Sequence, residues 1–339
     1  MILSNSLSVT TDEGCLRLSE SLVKRIKRQY PDTFIATYER ESSLSDTHLQ
    51  LNKFLLNKSL IDIIRKRKEN LLYVPFPSKA SSTVLRVFIL SLFQRNKLSV
   101  IFPMRICMSG LFKLLFKISG AGIIAFSSAS AEYYADMFGS DRVTYLKAGV
   151  DSKKFVPVSE EESKQLKIKY SFNPDVPVVL HVGHLNNGRG VAELMKLSKD
   201  YQVLLVVSTL TKNEQDLKLR EELLRHPNIR IIDDYIQDIE EIYQLCDVYF
   251  FPVKTSGCCI DIPLSCMEAA ACNKPIITTD YGEMKNFYGK DGFCFMDSFD
   301  ANTLNDAVDK LLKLPVVNSR DAVLDYDWDK AIPAFADLV

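Results

Sequence analysis

Two side chains in this 339-residue sequence stand where a charge could do chemistry. Glu268 lies in an otherwise apolar helical stretch, among Leu264, Met267, Ala270 and Ala271, one turn in from a start at about Pro263. A carboxylate at that depth can reach back to the crevice above the strand ends, where open parallel sheets bind their ligands. It can equally complement the helix macrodipole while facing solvent. Arg189 belongs to the loop His184-Leu185-Asn186-Asn187-Gly188-Arg189-Gly190, between the apolar run Val178–Gly183 and a helical stretch starting near Val191. A strand that feeds a glycine-containing loop and then a helix N-terminus offers free N–H groups and a positive dipole end to an anion. Neither a P-loop nor a GxGxxG fingerprint is present, so the loop indicates an anion without naming it.

The elements that must position these residues follow from hydrophobic periodicity. Residues 248–253 form an apolar run short enough for a buried strand, closed by Lys254-Thr255-Ser256-Gly257. The helix from Pro263 comes next, and Pro275 opens a second apolar strand at 276–279. Strand, loop, helix and strand make one parallel crossover unit. Upstream, strands are expected at 2–9, 34–38, 71–74, 98–102, 123–126 and 142–150, and helices at 14–29, 49–68, 81–93 and 110–118. Downstream, strands are expected at 178–183, 203–208 and 229–233, and helices at 213–225, 238–246 and 300–314. Alternation of this kind predicts an α/β chain with doubly wound parallel sheets.

The length suffices for two cores, and 47% hydrophobic with 25% charged residues is ordinary for a globular protein. Five of the eight cysteines crowd into 246–272 with no CxxC pair and no Cys/His ligand spacing, which argues for buried thiols in a reducing compartment and against zinc. No basic leader precedes the first strand, and the most apolar stretches are interrupted by Arg86, Lys113 and Lys117, which excludes a helical membrane span. A cytoplasmic protein is expected. Residues 1–150 carry 21 Lys and Arg against 12 Asp and Glu, although the whole chain sums to −1. That basic half could attract anionic lipid, a phosphorylated acceptor or nucleic acid, or simply be solvated. Within it, residues 111–118 set apolar residues around Lys113 and Lys117, the pattern of a basic amphipathic helix that could lie peripherally on a membrane.

The stretch 247–282 resembles the signature of the group 1 (family 4) retaining glycosyltransferases, through Asp247, Pro252, Gly257, the run Glu268-Ala269-Ala270-Ala271-Cys272-Asn273 and Pro275-Ile276-Ile277-Thr278-Thr279. Gly149-Val150-Asp151 with Phe155 and Pro157 is similar to that family's interdomain junction, with Ala148 in place of its asparagine. Tyr326-Asp327-Trp328 is similar to the start of its closing helix. The resemblance implies a GT-B fold, with two Rossmann-like domains facing a central cleft. The domains would span 1–150 on the acceptor side and 151–325 on the donor side, with 326–339 crossing back.

It further implies a nucleotide-diphospho-sugar donor, a glycan or lipid-linked acceptor, no nucleic-acid partner, and no cofactor or metal. Glu268 would bind the ribose hydroxyls, and Arg189 with Gly190, His184 and Gly183 would hold the diphosphate. The helix start at Ile262, Pro263 and Leu264 would supply further N–H groups, and Ile236 would hydrogen-bond the base through its backbone. Gly14 and Arg105 are the acceptor-side candidates.

The sequence departs from the pattern in three places. His184 stands where the family has an arginine, the early first-domain histidine is missing, and Ile260 occupies the position of a sugar-contacting glutamate. Asp261 would replace that glutamate if the loop shifts by one residue, or would cap the Pro263 helix instead. These departures keep open a non-catalytic nucleotide-sugar-binding partner and, among enzymes, a sugar-nucleotide epimerase.

Overall fold

The computed structural model describes residues 1–5, 7, 14–39, 41–52, 54–76, 81–207, 214–255 and 257–338. The expected strand end at residues 8 and 9, the turn at 10–13, Pro77, Ser208, the helix start at Asn213 and Ser256 lie outside them. The chain divides into two compact units. One comprises 1–148, 260–262 and 328–339, the other 149–259 and 263–327.

The first unit holds β1 (Ile2–Ser4), α1 (Gly14–Gln29), β2 (Ile35–Thr37), β3 (Thr47–His48), α2 (Lys58–Arg67), β4 (Leu71–Val74), α3 (Ser81–Ser91), β5 (Leu98–Phe102), α4 (Gly110–Ser119), β6 (Gly122–Ala125), α5 (Ser128–Phe138) and β7 (Val143–Tyr145). Its described strands pair in parallel in the order β3-β2-β1-β4-β5-β6-β7. One face of the sheet packs Leu3, Tyr73, Val100 and Phe102 against Leu60, Val84, Phe116 and Tyr134, so α2 to α5 cover that side. Helix α1 buries Leu16, Leu18, Leu22, Val23 and Ile26, spaced as one helical stripe. Each of these is worth about 1.5–3 kcal/mol when withdrawn from water, so Leu22→Asp would undo the helix's attachment.

The helix expected over 49–68 begins only at Lys58. Asn52 is the reason: its side chain accepts from the Phe54 and Leu56 N–H groups at 3.0 and 3.1 Å and ties the chain into a turn. Asn57 then caps α2 by accepting from Ser59 N and Leu60 N. His48 lies in the short edge strand β3, not in a helix, with Nδ1 3.2 Å from Thr37 Oγ1. Two residues show no alternation, which is why the periodicity missed them.

The second unit holds α6 (Glu160–Lys169), β8 (Val178–Gly183), β9 (Gln202–Val207), α7 (Glu214–Leu224), β10 (Ile229–Ile232), α8 (Ile239–Leu245), β11 (Val248–Phe251), α9 (Leu264–Ala271), β12 (Ile276–Thr278), β13 (Phe293–Phe295), α10 (Ala301–Leu312) and α11 (Ser319–Val323). Its described strands are parallel in the order β10-β9-β8-β11-β12-β13. Ser159 and Glu162 start α6 with a reciprocal capping box. Strand β13 and helix α11 are too short to have announced themselves. The last helix, α12 (Trp328–Ala331), belongs to the first unit, where Trp328 meets Phe126 edge-on and Arg28 bonds Asp329 at 2.7 Å.

Candidate donor site

In the second sheet the chain runs outward from β8 through β9 to β10, then returns to the other side of β8 as β11. The order therefore reverses between β8 and β11, and the loops leaving their C-terminal ends border the crevice where such sheets bind ligands. Residues 184–190 form the first of these loops. The second runs from Pro252 to the start of α9, and its segment 260–262 is counted with the first unit.

The two loops are knitted together at three consecutive residues. A β-carbon on Gly188 would lie 2.4 Å from Cys258 Sγ, and one on Gly190 would lie 2.5 Å from the Pro252 carbonyl oxygen. Gly190 also has φ +69°, which a side chain would strain. Between them Arg189 donates from Nε to the Cys258 carbonyl at 2.9 Å, and Asn186 Oδ1 accepts from the Arg189 N–H at 3.1 Å. Arg189 is 8% exposed, and no carboxylate pairs with it among the described residues. A guanidinium withdrawn from water without a counter-charge is unfavourable, which makes this loop a candidate anion site. Its Nη1 lies over Gly183, where a β-carbon would come within 2.3 Å of it. Gly183 is therefore the space that Arg189 occupies.

His181 completes this floor. Burial, with a smaller contribution from Arg189, pushes its pKa down to about 4. The neutral ring has Nδ1 2.8 Å from the Phe250 carbonyl, which makes Nδ1 the donor and Nε2 an acceptor. Nε2 is buried and has no hydrogen-bond partner among the described residues. It borders the same space over Gly183, 3.3 Å from where the β-carbon would be. The expected loop residues did not include it, although a histidine inside the apolar run VVLHVG was a visible anomaly. His184 is half-buried at the loop's start, and its carbonyl accepts from Asn186 N at 3.1 Å.

Glu268 sits inside α9 and is 4% exposed, which removes the solvent-facing alternative. Tyr243 of α8 donates its hydroxyl to Glu268 Oε2 at 2.7 Å, and Tyr243 is itself held against Phe155 and Tyr249. Tyr243 is a positioning residue that sequence spacing did not single out. Pro263 and Leu264 are buried at the start of α9, and Ile236 is half-buried in the turn after β10.

Asp261 belongs to the segment 260–262, which is counted with the first unit. Its N–H donates to the Pro103 carbonyl at 2.7 Å, and its carboxylate accepts from the Arg105 N–H at 3.3 Å and from the Ser130 hydroxyl. It does not cap α9, whose start has no side-chain cap. Instead it sits at the beginning of α5, capped by Ser127, where a carboxylate meets the positive end of a helix. Burial raises its pKa, against the lowering effect of Ser130 and Arg105. Arg105 itself reaches Ser130 Oγ at 3.3 Å and lies 5.2 Å from the Tyr133 ring centroid. Ile262 is buried in the same segment. Gly14, the first residue of α1, faces the Ile260 side chain, 3.8 Å from where a β-carbon would be. Among the described residues no group of three His, Cys, Asp or Glu is placed to hold a metal ion.

Two parallel Rossmann-like units in one chain define the GT-B fold. Solved structures share it over nearly the whole chain. A glycosyltransferase from Rickettsia africae superposes with TM-score 0.77 at 14% identity, covering 98% of this chain and 96% of its own. Anabaena HepE in complex with UDP superposes with TM-score 0.75 at 14% identity, covering 99% and 97%. Residues 162–326 match the family Glycosyl transferases group 1, and this segment belongs to that family. The chain is 27% identical over 182 residues to the Campylobacter jejuni N,N'-diacetylbacillosaminyl-diphospho-undecaprenol alpha-1,3-N-acetylgalactosaminyltransferase, a match covering 52% of this chain and 46% of that one. It is 24% identical over 201 residues to a Corynebacterium glutamicum GDP-mannose-dependent monoacylated alpha-(1-6)-phosphatidylinositol monomannoside mannosyltransferase, covering 54% and 50%. The chain thus spans about half the length of the curated relatives it matches.

Proposed function

We propose that the protein transfers a sugar from a nucleotide-diphospho-sugar to a hydroxyl of a lipid-linked or polysaccharide acceptor. The observation that carries this reading is the buried Arg189 guanidinium, which has no carboxylate partner among the described residues and sits at the sheet reversal of a group 1 glycosyltransferase segment. The relatives' names support the substrate class, since one acts on a diphospho-undecaprenol-linked sugar and another on a phosphatidylinositol mannoside.

In the reaction the bond from the anomeric carbon to the diphosphate oxygen breaks, and the diphosphate keeps the electron pair. The acceptor oxygen bonds to the anomeric carbon and its proton is released. Charge grows on the leaving diphosphate, and the Arg189 guanidinium, held through Nε on the Cys258 carbonyl, would stabilise it with its remaining N–H groups. Glu268, fixed by Tyr243, accepts from the ribose hydroxyls. In this reading the chemistry proceeds with retention and without a metal, in the cytoplasm, during assembly of a cell-surface glycan. Among the described residues no helix is long and apolar enough to cross a membrane.

A non-catalytic donor-binding role is favoured by one observation: Asp261, the substitute for the absent glutamate, has its carboxylate engaged by Ser130 and Arg105. Turnover of donor to nucleoside diphosphate separates the two readings. The donor site is tested by thermal shift against UDP, GDP, ADP, TDP and CMP, with Glu268→Ala alongside. A nucleotide at about 100 times its Kd stabilises by about 2.7 kcal/mol. The expected result is one responding nucleotide whose effect Glu268→Ala removes. No response from any nucleotide would sink the donor site.

A further inference from the structure

The strongest feature that the donor site leaves unused is the outer face of α4. Ten residues, Gly110–Ser119, bury only Phe116 fully, with Phe112 half-buried beside it. The opposite side exposes Leu111, Leu114 and Ile118 at 64%, 53% and 62%. Their spacing of three and four residues puts them in one row along the helix. Lys113 and Lys117, also exposed and four apart, form a second row beside it. The helix is therefore apolar on two sides, and only one of these faces the core.

Charge decides what the outer side fits. Helix α3 packs beside α4, and neither contains a carboxylate, whereas together they carry Arg86, Lys113 and Lys117. Helix α2, on the same side of the sheet, adds exposed Lys58, Arg65, Lys66 and Arg67. Over residues 51–120 there are 13 Lys and Arg against Asp62 and Glu69 alone. Toward the end of α4, Arg142 bonds the Phe116, Lys117 and Ala121 carbonyls, and Asp141 is the acid beside it. A large aliphatic row flanked by lysines and surrounded by excess positive charge matches the boundary between acyl chains and anionic headgroups.

We propose that this face of the first unit docks on an anionic lipid bilayer, with Leu111, Leu114 and Ile118 entering the acyl boundary and Lys113 and Lys117 meeting lipid phosphates. The docking is independent of the donor site, so either reading can fail alone. It would set the protein on the surface where a lipid-linked acceptor resides.

The test is co-sedimentation of the full chain with phosphatidylcholine vesicles, with and without about 30 mol% phosphatidylglycerol. Two variants accompany it, Leu114→Glu with Ile118→Glu, and Lys113→Glu with Lys117→Glu. All four positions are exposed, and unchanged melting temperatures and nucleotide response confirm folding. The expected result is at least about tenfold tighter binding to the anionic vesicles, weakened about tenfold by either variant and reduced by salt. Failure to bind anionic vesicles overturns the proposal, as does binding that both variants leave intact. A concentration-dependent dimer that Leu114→Glu with Ile118→Glu abolishes, without vesicle binding, would assign the face to a second copy instead.

Discussion

His181 makes the protein's stability depend on acid in a way that can be worked from its surroundings. The ring is fully buried beside Arg189, and its pKa is pushed from 6.5 to about 4. Between those values the unfolded chain binds a proton that the folded chain refuses. The contribution is therefore fully present above pH 6.5 and is lost as pH falls through the folded value. One pKa unit corresponds to about 1.4 kcal/mol, so the loss between pH 7 and pH 4 is about 3 kcal/mol. Chemical denaturation at several pH values measures it, with His181→Gln as the reference because an amide retains a donor and does not titrate. Subtracting the two curves cancels the other titrating groups. A difference that grows by about 3 kcal/mol toward pH 4 is expected. A flat difference would show that the imidazole is hydrated or charged in the folded state, and would refute its place under Arg189.

Three further outcomes follow from the same geometry. Gly183→Ala puts a methyl 2.3 Å from Arg189 Nη1, so it should displace the guanidinium and weaken nucleoside diphosphate binding by roughly tenfold or more in calorimetry, with little change in fold. Tyr243→Phe removes the hydroxyl that donates to the buried Glu268, costing about 1–3 kcal/mol of stability in denaturant and raising the Kd for nucleotide, while Tyr243→His should recover part of both. Because burial raises the pKa of Asp261, its contribution is fully present below the unfolded value near 3.8 and is lost as pH rises through the folded value. Asp261→Asn should therefore flatten that slope, and if Asp261 also contacts the transferred sugar, it should lower kcat with nucleotide affinity unchanged.

The sequence by itself determined the architecture and which loops are candidates for a donor site. Apolar runs such as 178–183 and 248–253 are short enough for buried strands, and helical stripes such as Leu18, Leu22 and Ile26 alternate with such runs, so a doubly wound α/β chain was legible from period and length. Gly188 and Gly190 around Arg189 marked a candidate anion loop because glycine spacing reports backbone demands directly. What those residues touch was decided by tertiary structure. Glu268 is buried rather than solvated because α8 brings Tyr243 against it, twenty-five positions away in sequence. Asp261 serves the start of α5 rather than α9 because Ser130 lies 131 positions away, beyond any local pattern. His181 becomes an uncharged ring, its Nε2 without a partner among the described residues, only once β11 places the Phe250 carbonyl beside it. Periodicity reports which side of an element is apolar; which charge meets which partner depends on strand order, and that exists only in the folded chain.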